Sequence, residues 1–446
     1  MAHPFQTKPR TPLNFNGLVS DLRQVVAQFH DKRTGQNTIY SMKDVAMGAF
    51  SVFFTQSPSF LAHQTTMADN KGKSNALTLF GIQSIPTDNH IRDLLDVVAP
   101  EQAFPMFEKV FTQMNERGHL QAFRAVDQQL LIALDGVQYH SSNAIYCDHC
   151  TVKQHKNGQT SYSHTAITPV IVAPGRRQVL ALEPEFITPQ DGNQKQDCEM
   201  AAAKRWVKQY STRYAPLNTT LLGDDLYSRQ PLCEQVIEQG LNFIFVCKPQ
   251  SHSTLYEYLE GLERGQSVQT LSVKRRKGKQ QFIDTYRFAH QLPLRDSDDA
   301  LLVNWCELTS TDHNGQVIYR NAFASNHAID AHNVADIVLA GRARWKVENE
   351  NNNTLKTQGY HLSHNFGHGK QHLSTLLATL NLLAFLLHTI LDMMDNKYQL
   401  IRARLSSRKM FFQHIQALTC YHCFDHFEAL LDFMIRGLEI EQSDTG

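Results

Sequence analysis

A stretch in the last third of the chain carries residue types suited to phosphate chemistry. Within the run RARWKVENENNNTLKTQGYHLSHNFGHGK, Arg344 and Glu348 stand four residues apart. Residues at this spacing share one face of a helix, and Asn352 and Lys356 continue the same face. An acid, an amide and two bases in one line suit a metal ion that faces a phosphate backbone. A solvated charged helix face gives the same pattern, so this interpretation needs support from elsewhere in the chain.

Two acids farther upstream each follow a short apolar run. Asp135 follows LLIAL and Asp224 follows TTLLG, which have the length of buried strands. A carboxylate at the tip of a buried strand is held rigidly and faces whatever lies beyond the edge of the sheet. An aspartate before a glycine is also common in plain turns. Asp225 is an alternative to Asp224.

The order of elements around these acids predicts the fold class. From Gln128 onward we expect three strands, a helix, a strand, a helix and a further strand, with Asp135 ending the first strand and Asp224 the fourth. This order is typical of an α/β protein with a mixed sheet and helices on both faces. Residues 251–326 contain strand-like runs and turn residues, and they predict a β-rich insertion before the helix that carries Glu348.

The ends of the chain have a helical pattern. The first residues, up to about Pro12, predict a loose tail, and the periodicity of residues 13–127 predicts helices. One of these helices, DNHIRDLLDVVA, carries Arg92 near its start, where a side chain can reach a phosphate or a base edge. The apolar run from Leu376 to Met394 is interrupted by polar residues, which favours a buried helix over a membrane span.

Composition limits the partners and the location. With 42% hydrophobic and 19% charged residues, the 446-residue chain is typical of globular proteins rather than disordered ones. The balance of 43 basic and 43 acidic residues argues mildly against a nucleic-acid partner, although 22 histidines can gain positive charge near phosphates. Eight cysteines without a signal peptide suggest reduced thiols in a cytoplasmic protein.

The combination of Asp135, Asp224, a β-rich insertion and Glu348 on a helix resembles the DDE transposases of bacterial insertion sequences. The most similar group is the insertion-sequence-four-type superfamily, whose catalytic domain has the ribonuclease-H-like fold. Its signature is Tyr, two residues, Arg, three residues, Glu, six residues, Lys. Arg344 and Glu348 keep the Arg-to-Glu spacing of that signature.

Two departures from the signature matter. Gly341 occupies the tyrosine position, and seven residues rather than six separate Glu348 from Lys356. The second departure leaves the position of Lys356 open and keeps Glu350 as an alternative acid.

The resemblance implies a domain organisation. A helical N-terminal DNA-binding domain (1–127) precedes a ribonuclease-H-like catalytic core. The core is formed by residues 128–250 and 327–395, separated by the β-rich insertion (251–326), and a helical segment (396–446) ends the chain.

The resemblance also implies a chemistry. Asp135, Asp224 and Glu348 would bind two Mg²⁺ or Mn²⁺ ions for cleavage and transfer of DNA strands at the terminal repeats of the element. The partner would be double-stranded DNA, and the family commonly acts as a dimer on paired ends. The alternatives are a catalytically inactive DNA-binding descendant and a metal-dependent nuclease that does not join strands.

Several basic residues are candidates for DNA contacts. Arg344 and Lys356 would position the backbone and the DNA terminus, the arginine through a planar fork and the lysine as a point charge. The other basic candidates are Lys248, Arg92, Lys274, Arg275 and Arg276. In the resembling family an aromatic residue of the insertion stacks on flipped bases, which makes Trp305 a candidate, although a tryptophan in an apolar strand is more often core.

A second group of residues has spacing similar to that of zinc sites. Cys147 and Cys150 are followed by His155 and His164 on a probable hairpin with its turn at Asn157-Gly158. Packed thiols are the alternative interpretation.

Two other runs have weaker indications of the same kind. Cys420 and Cys423, with His422, form another pair at CxxC spacing. His361, His364 and His368 follow the catalytic helix and could form either a turn against DNA or a plain helix stop.

Overall fold

The structure, a computed structural model, describes residues 12–35, 38–67, 74–189, 197–278 and 280–441. Nearly all of the predicted N-terminal tail lies outside these ranges. The described residues form two compact units. The helical unit comprises Met1–Arg117, Gln138–His164 and Asn353–Gly446, and the sheet unit comprises Gly118–Val137 and Thr165–Asn352.

The described residues contain fifteen α-helices and thirteen strands. The helices are α1 (Phe15–Val26), α2 (Met42–Phe54), α3 (Phe60–Met67), α4 (Asn75–Phe80), α5 (Asp88–Leu95), α6 (Pro105–Glu116), α7 (Glu199–Tyr214), α8 (Gln230–Glu238), α9 (Ser253–Arg264), α10 (Val334–Arg342), α11 (Asn353–Thr357), α12 (Leu373–Met394), α13 (Asn396–Arg404), α14 (Arg408–Tyr421) and α15 (Phe427–Gly437). The strands are β1 (Leu130–Ala133), β2 (Gly136–Ser142), β3 (Thr151–Gln154), β4 (Thr160–Ile167), β5 (Val170–Val172), β6 (Leu180–Ala181), β7 (Glu185–Ile187), β8 (Thr219–Gly223), β9 (Asn242–Val246), β10 (Gln269–Lys277), β11 (Gln280–Pro293), β12 (Leu302–Asp312) and β13 (Val317–Ser325). A π-helical segment (Val347–Asn352) precedes α11.

The sheet unit is built on a nine-stranded mixed sheet. Its strand order is β10-β11-β12-β13-β9-β8-β1-β5-β6, with β1, β8 and β9 parallel to one another and β5 antiparallel to β1. The buried runs β1, β8 and β9 carry almost only apolar side chains and two threonines, as expected for central strands covered on both faces. The predicted α/β mixed sheet is therefore confirmed, and its ribonuclease-H-like character stays a prediction.

The predicted β-rich insertion is part of this same sheet. Strand β13 pairs antiparallel with β9, with Phe323 opposite Val246, so β10–β13 extend the sheet. Without β13, the apolar strand β9 would be an unpaired edge, which soluble proteins avoid. Strand β10 forms the far edge instead, and it carries exposed basic side chains.

The helical unit confirms the helical pattern of the N-terminal and C-terminal regions. Ser41 caps α2 by accepting a hydrogen bond from the backbone N–H of Asp44. Helix α12 is long and apolar enough to cross a membrane by length and composition, but 94% of its most apolar 18-residue window is buried inside the protein. Two polar residues of α12 each make one buried hydrogen bond: Asn381 donates to the Tyr360 carbonyl oxygen (2.8 Å), and His388 Nδ1 lies 2.7 Å from the Tyr360 hydroxyl.

The predicted hairpin lies in the helical unit. Strands β3 and β4 pair antiparallel with Thr151 opposite Ser163, and Gly158 has a φ of +81° at the turn. The left-handed conformation at this position explains the glycine of the Asn-Gly pair. The last residues of β4 pair with β7, and the order of this smaller sheet is β2-β4-β3.

Candidate active site

Asp135 and Asp224 follow two neighbouring parallel strands of the sheet unit. Strands β1 and β8 pair with Ala133 opposite Leu222, and each aspartate comes two residues after its member of that pair. The backbone N–H of Leu134 still donates to the Leu222 carbonyl oxygen (2.9 Å), so the pairing continues almost to the acids. Because carboxyl ends of parallel strands lie at one edge of a sheet, the two carboxylates share that edge.

Glu348 lies on the π-helical segment, where one extra residue widens the helical turn. The Nη1 atom of Arg344 donates to Oε1 of Glu348 at 2.5 Å, so the predicted pair at i, i+4 is present. The Arg344 side chain is only 8% exposed and that of Glu348 is 35% exposed. Short π segments inside helices occur often at functional sites.

The Asp135 carboxylate is held by an amide network. Asn352 Nδ2 donates to Asp135 Oδ2 at 2.8 Å. The Asn352 amide oxygen in turn accepts hydrogen bonds from Thr168 Oγ1 (2.7 Å) and Asn351 Nδ2 (3.0 Å). The Thr168 backbone N–H also donates to the Asp135 carbonyl oxygen (3.0 Å). The π-helical segment thus supplies both an acid and the donor that orients a second acid.

Negative charge accumulates around Asp135. Burial raises the pKa of Asp135 to about 7, with further contributions from the carboxylates of Glu348, Glu199 and Asp224, while the Arg344 guanidinium opposes the increase. Glu348 is thus one of the acids whose charge acts on Asp135. An acid whose pKa is this high marks a site that would gain from a cation.

Glu199 is a fourth acid at this site that the sequence analysis did not select. It begins α7 and accepts a hydrogen bond from the Tyr227 hydroxyl at 2.6 Å. Burial raises its pKa, and the charge of Asp224 adds to the increase. Acids are ordinary in the first turn of a helix, so the sequence carries no signal for this role.

Two glycines make the close approach of these groups feasible. A Cβ at Gly136, directly after Asp135, would lie 2.4 Å from Glu199 Oε2. A Cβ at Gly223, directly before Asp224, would lie 2.8 Å from the Tyr227 ring. A side chain at either position would therefore force Glu199 or Tyr227 to move.

Asp225, the alternative to Asp224, has polar partners of its own. Its carboxylate accepts hydrogen bonds from the Lys248 backbone N–H (2.7 Å) and from the Ser251 hydroxyl. His252 Nε2 lies 3.6 Å from the same carboxylate.

The basic candidates occupy different places. The guanidinium of Arg344 donates a hydrogen bond to Glu348. Lys356 is exposed on α11, in the helical unit. Arg92, also in the helical unit, donates to the Phe366 carbonyl oxygen (2.9 Å) and pairs with Asp88 (3.2 Å). Lys248 is exposed just after β9.

The predicted insertion has exposed basic side chains, but its aromatic candidate, Trp305, is not accessible. Lys274 and Arg276 are exposed on the edge strand β10, and Arg275 beside them pairs with Asp284 at 2.8 Å. Basic side chains on an edge strand also prevent strand addition, so their exposure alone does not identify a DNA contact. Trp305 is completely buried in β12, so the structure contradicts its selection for base stacking.

The predicted zinc ligands are brought together in part. Cys147, Cys150 and His164 converge in the helical unit, and His368 completes the group. His155 is exposed and contacts the Ser161 hydroxyl (2.8 Å), so it does not occupy the predicted position. The ligand atoms of this Cys/His cluster all lie within 4.8 Å of one another, and among the described residues no group of three acids comes together in this way.

The remaining cysteine and histidine candidates are more accessible. Cys420 is exposed and Cys423 is partly exposed at the end of α14. His361 and His364 are exposed in the loop before α12, whereas His368 in the same loop is buried.

The comparisons with known proteins give little beyond this geometry. No family model and no curated protein matches the sequence. Among solved structures, the chain is similar to one described as the cryo-EM structure of a piggyBac transposase synaptic complex with hairpin DNA. The two share 12% sequence identity at a TM-score of 0.39, and the match covers 98% of this chain and 84% of that chain. A TM-score this low establishes neither a shared fold nor a shared activity.

Proposed function

We propose that the protein is a DDE transposase that cleaves and transfers DNA strands at the ends of its own insertion sequence. The observation that carries the proposal is the position of Asp135 and Asp224 after adjacent parallel strands, with Glu348 close enough to influence Asp135. The DDE order of these acids and the Arg344–Glu348 spacing are the features in which the sequence resembles that enzyme family.

The residues present fit divalent cations. Asp135, Asp224, Glu199 and Glu348 supply an excess of carboxylate over the single guanidinium of Arg344. Burial first, and then the charges of the other three acids, raises the pKa of Asp135. Carboxylate oxygens are the ligands that Mg²⁺ and Mn²⁺ prefer. Asp135, Asp224 and Glu348 are the proposed ligands. Two ions bound by them would activate the attacking oxygen and stabilise the leaving oxygen of a phosphodiester displacement.

The other residues of the site orient these acids. Asn352 fixes one oxygen of Asp135, and Thr168 and Asn351 fix Asn352. Arg344 holds Glu348 through a short charge-assisted hydrogen bond and is itself nearly buried, so we assign it a positioning role rather than a first contact with DNA.

The proposed partner is double-stranded DNA, bound as terminal repeats and as target, by a dimer on paired ends. The exposed Lys248, Lys274 and Arg276 are the candidates for phosphate contacts in the sheet unit. Lys356 is the exposed candidate in the helical unit.

The decisive experiment measures cleavage and joining of DNA that carries the ends of the element, with Mg²⁺ or Mn²⁺. Asp224→Asn should abolish both reactions, whereas the neighbouring Asp225→Asn should retain them, because Asp225 is bound by Lys248, Ser251 and His252. Thermal melting of both variants checks that each is folded.

The outcomes separate the alternatives. Cleavage without joining would identify a metal-dependent nuclease, and specific DNA binding without cleavage would identify an inactive descendant. Asp224→Asn protein that still cuts at the wild-type rate would exclude this carboxylate as a metal ligand and with it the DDE mechanism.

A further inference from the structure

The sulfur and nitrogen atoms of four side chains in the helical unit converge on one point. Cys147 Sγ lies 3.9 Å from Cys150 Sγ, and both sulfurs lie 3.4 Å from His164 Nε2. His368 Nε2 lies 3.5 Å from Cys150 Sγ. All four atoms lie within 4.8 Å of one another.

These separations match the edges of a tetrahedron around a zinc ion. Zn–S bonds of about 2.3 Å and Zn–N bonds of about 2.0–2.1 Å give edges of roughly 3.8 Å between two sulfurs and roughly 3.6 Å between sulfur and nitrogen. The sulfur–sulfur distance of 3.9 Å and the three sulfur–nitrogen distances of 3.4–3.5 Å agree with these edges. A disulfide would require sulfurs about 2.05 Å apart, and both cysteines are free.

The cluster is closed to solvent. Cys147 is 8% exposed, Cys150 2%, His164 1% and His368 6%. A buried group of two thiols and two imidazoles around one point is better satisfied by a shared cation than by the weak hydrogen bonds that thiols make.

Local structure positions the two cysteines. They flank a tight turn in which the Cys150 backbone N–H donates to the Cys147 carbonyl oxygen (3.1 Å). Strand β4 carries His164, and its ring stacks on that of Tyr139 with centroids 5.7 Å apart. The β3–β4 hairpin and the turn directly before it therefore supply three of the four side chains.

The fourth ligand comes from a loop that is fixed on both sides of His368. On one side, Arg92 binds the Phe366 carbonyl oxygen at 2.9 Å. On the other side, the Asp96 carboxylate accepts hydrogen bonds from the backbone N–H groups of Lys370 (2.9 Å) and Gln371 (3.0 Å).

Gly369 makes this loop conformation feasible. It has a φ of +69°, and a Cβ there would lie 2.1 Å from Asp96 Oδ1. The contacts of Arg92 and Asp96 therefore position the loop around His368 independently of the other three side chains of the cluster.

We propose that Cys147, Cys150, His164 and His368 bind one structural zinc ion. Two sulfurs and two nitrogens in a tetrahedral arrangement suit Zn²⁺, whereas Mg²⁺ prefers oxygen ligands and iron–sulfur clusters usually take four cysteines. The four positions are all filled by protein, so the ion has a structural rather than a catalytic role. It joins the β3–β4 hairpin to the loop that leads into α12, the buried helix of the unit.

The test is the zinc content of the full chain, purified without chelator. Wild-type protein should contain about one zinc per chain, as one closed four-ligand site requires. His368→Ala should lose most of it, and the matched control His155→Ala should keep it, because His155 is exposed on the same hairpin. Retention of zinc by His368→Ala together with loss in His155→Ala would overturn the proposal and restore the ligand set expected from the sequence.

A second measurement keeps the test valid if His368→Ala does not fold. Wild-type protein stripped of metal and loaded with Co²⁺ should show the strong visible absorption of tetrahedral thiolate–imidazole coordination. The Cys420→Ser/Cys423→Ser variant should show the same spectrum. Wild-type protein that binds neither Zn²⁺ nor Co²⁺, or that loses the spectrum when Cys420 and Cys423 are replaced, would contradict the proposal.

Discussion

The acidic site of the sheet unit and the Cys/His cluster of the helical unit differ in what surrounds each functional side chain. At the acidic site each carboxylate has a separate polar partner, with Asn352 at Asp135, Arg344 at Glu348 and Tyr227 at Glu199. In the Cys/His cluster the four ligand atoms lie within 4.8 Å of one another, and all four residues are buried.

The difference follows from charge. Carboxylates repel one another, and burial together with the charges of the neighbouring acids raises the pKa of Asp135 to about 7. Neutral thiols and imidazoles can approach closely before any metal binds. Catalytic metal sites keep positions open for substrate, whereas structural sites fill all four positions with protein. If the two sites bind metal as proposed, loss of metal should affect activity at the acidic site and stability at the Cys/His cluster.

The largest expected effect is on catalysis at the acidic site. Glu348→Gln should reduce DNA cleavage by about 100-fold or more, because a metal-binding carboxylate contributes several kcal/mol and each 1.36 kcal/mol is tenfold in rate. Glu350→Gln is the matched control and should cut at nearly the wild-type rate. The rates are measured in single-turnover cleavage assays with the element's terminal DNA. An equal loss of DNA cleavage in both variants would contradict the assignment of Glu348 as the third metal-binding acid.

The next effect is on stability at the Cys/His cluster. His368→Ala should lower the melting temperature by about 4–8 °C, if losing a ligand costs about 2 kcal/mol and each kcal/mol shifts it by about 2–4 °C in a domain of this size. Glu348→Gln should change the melting temperature by less than about 2 °C, because the amide oxygen of glutamine can still accept the hydrogen bond from Arg344. The measurement is thermal unfolding followed by circular dichroism. A larger decrease for Glu348→Gln would contradict the assignment of separate roles.

A smaller effect concerns pH at Asp135. Below a pKa of about 7 the metal-free Asp135 holds a proton that a cation must displace. Affinity for Mg²⁺ should thus rise about tenfold between pH 6 and pH 8. Calorimetric titration measures it, and in Asp135→Asn the remaining Mg²⁺ binding should lose this dependence.

The same raised pKa has a consequence for metal-free stability. The folded state binds the proton more tightly than the unfolded state, so this contribution to stability is present at low pH and is lost as pH rises through about 7. Urea unfolding of wild-type and Asp135→Asn proteins at pH 5 and pH 8 checks the sign. If the wild-type protein became more stable relative to the variant from pH 5 to pH 8, the pKa of Asp135 would not be raised in the folded state.

The smallest effect is expected at Glu199. Its charge helps to raise the pKa of Asp135, so Glu199→Gln should shift the pH midpoint of Mg²⁺ binding downward by less than about one unit. Glutamine can still accept the Tyr227 hydrogen bond, which separates the charge effect from a packing effect. Glu238→Gln, an exposed charge of the same unit, should leave the midpoint unchanged. An upward shift would mean that Glu199 acts mainly by holding Tyr227.

The sequence was informative where a local pattern determines the structure. The apolar runs before Asp135 and Asp224 are strands β1 and β8, and the i, i+4 spacing of Arg344 and Glu348 gives their ion pair. Asn157-Gly158 correctly predicted the hairpin turn, because glycine is favoured at a positive φ.

The sequence was uninformative where distant residues meet. Glu199 and His368 reach their clusters through tertiary contacts that no local spacing encodes. His155 has the right spacing for a zinc ligand, but it lies near the turn of the hairpin, where its side chain is exposed. The pairing of β13 with β9 could not be foreseen either, because the sequence does not specify which strand covers an edge.

The parallel pairing of β1 with β8 also has a consequence for biosynthesis. Parallel neighbours cannot be joined by a tight turn, so the partner of β1 is made much later in the chain, after β2–β7 and α7. Glu348 and Asn352 are made later still. A nascent chain that carries only Asp135 and Asp224 lacks the Arg344–Glu348 pair and the amide that orients Asp135. If the finished protein cuts DNA as proposed, the order of synthesis therefore keeps that activity from the unfinished chain until the ribosome has passed the π-helical segment.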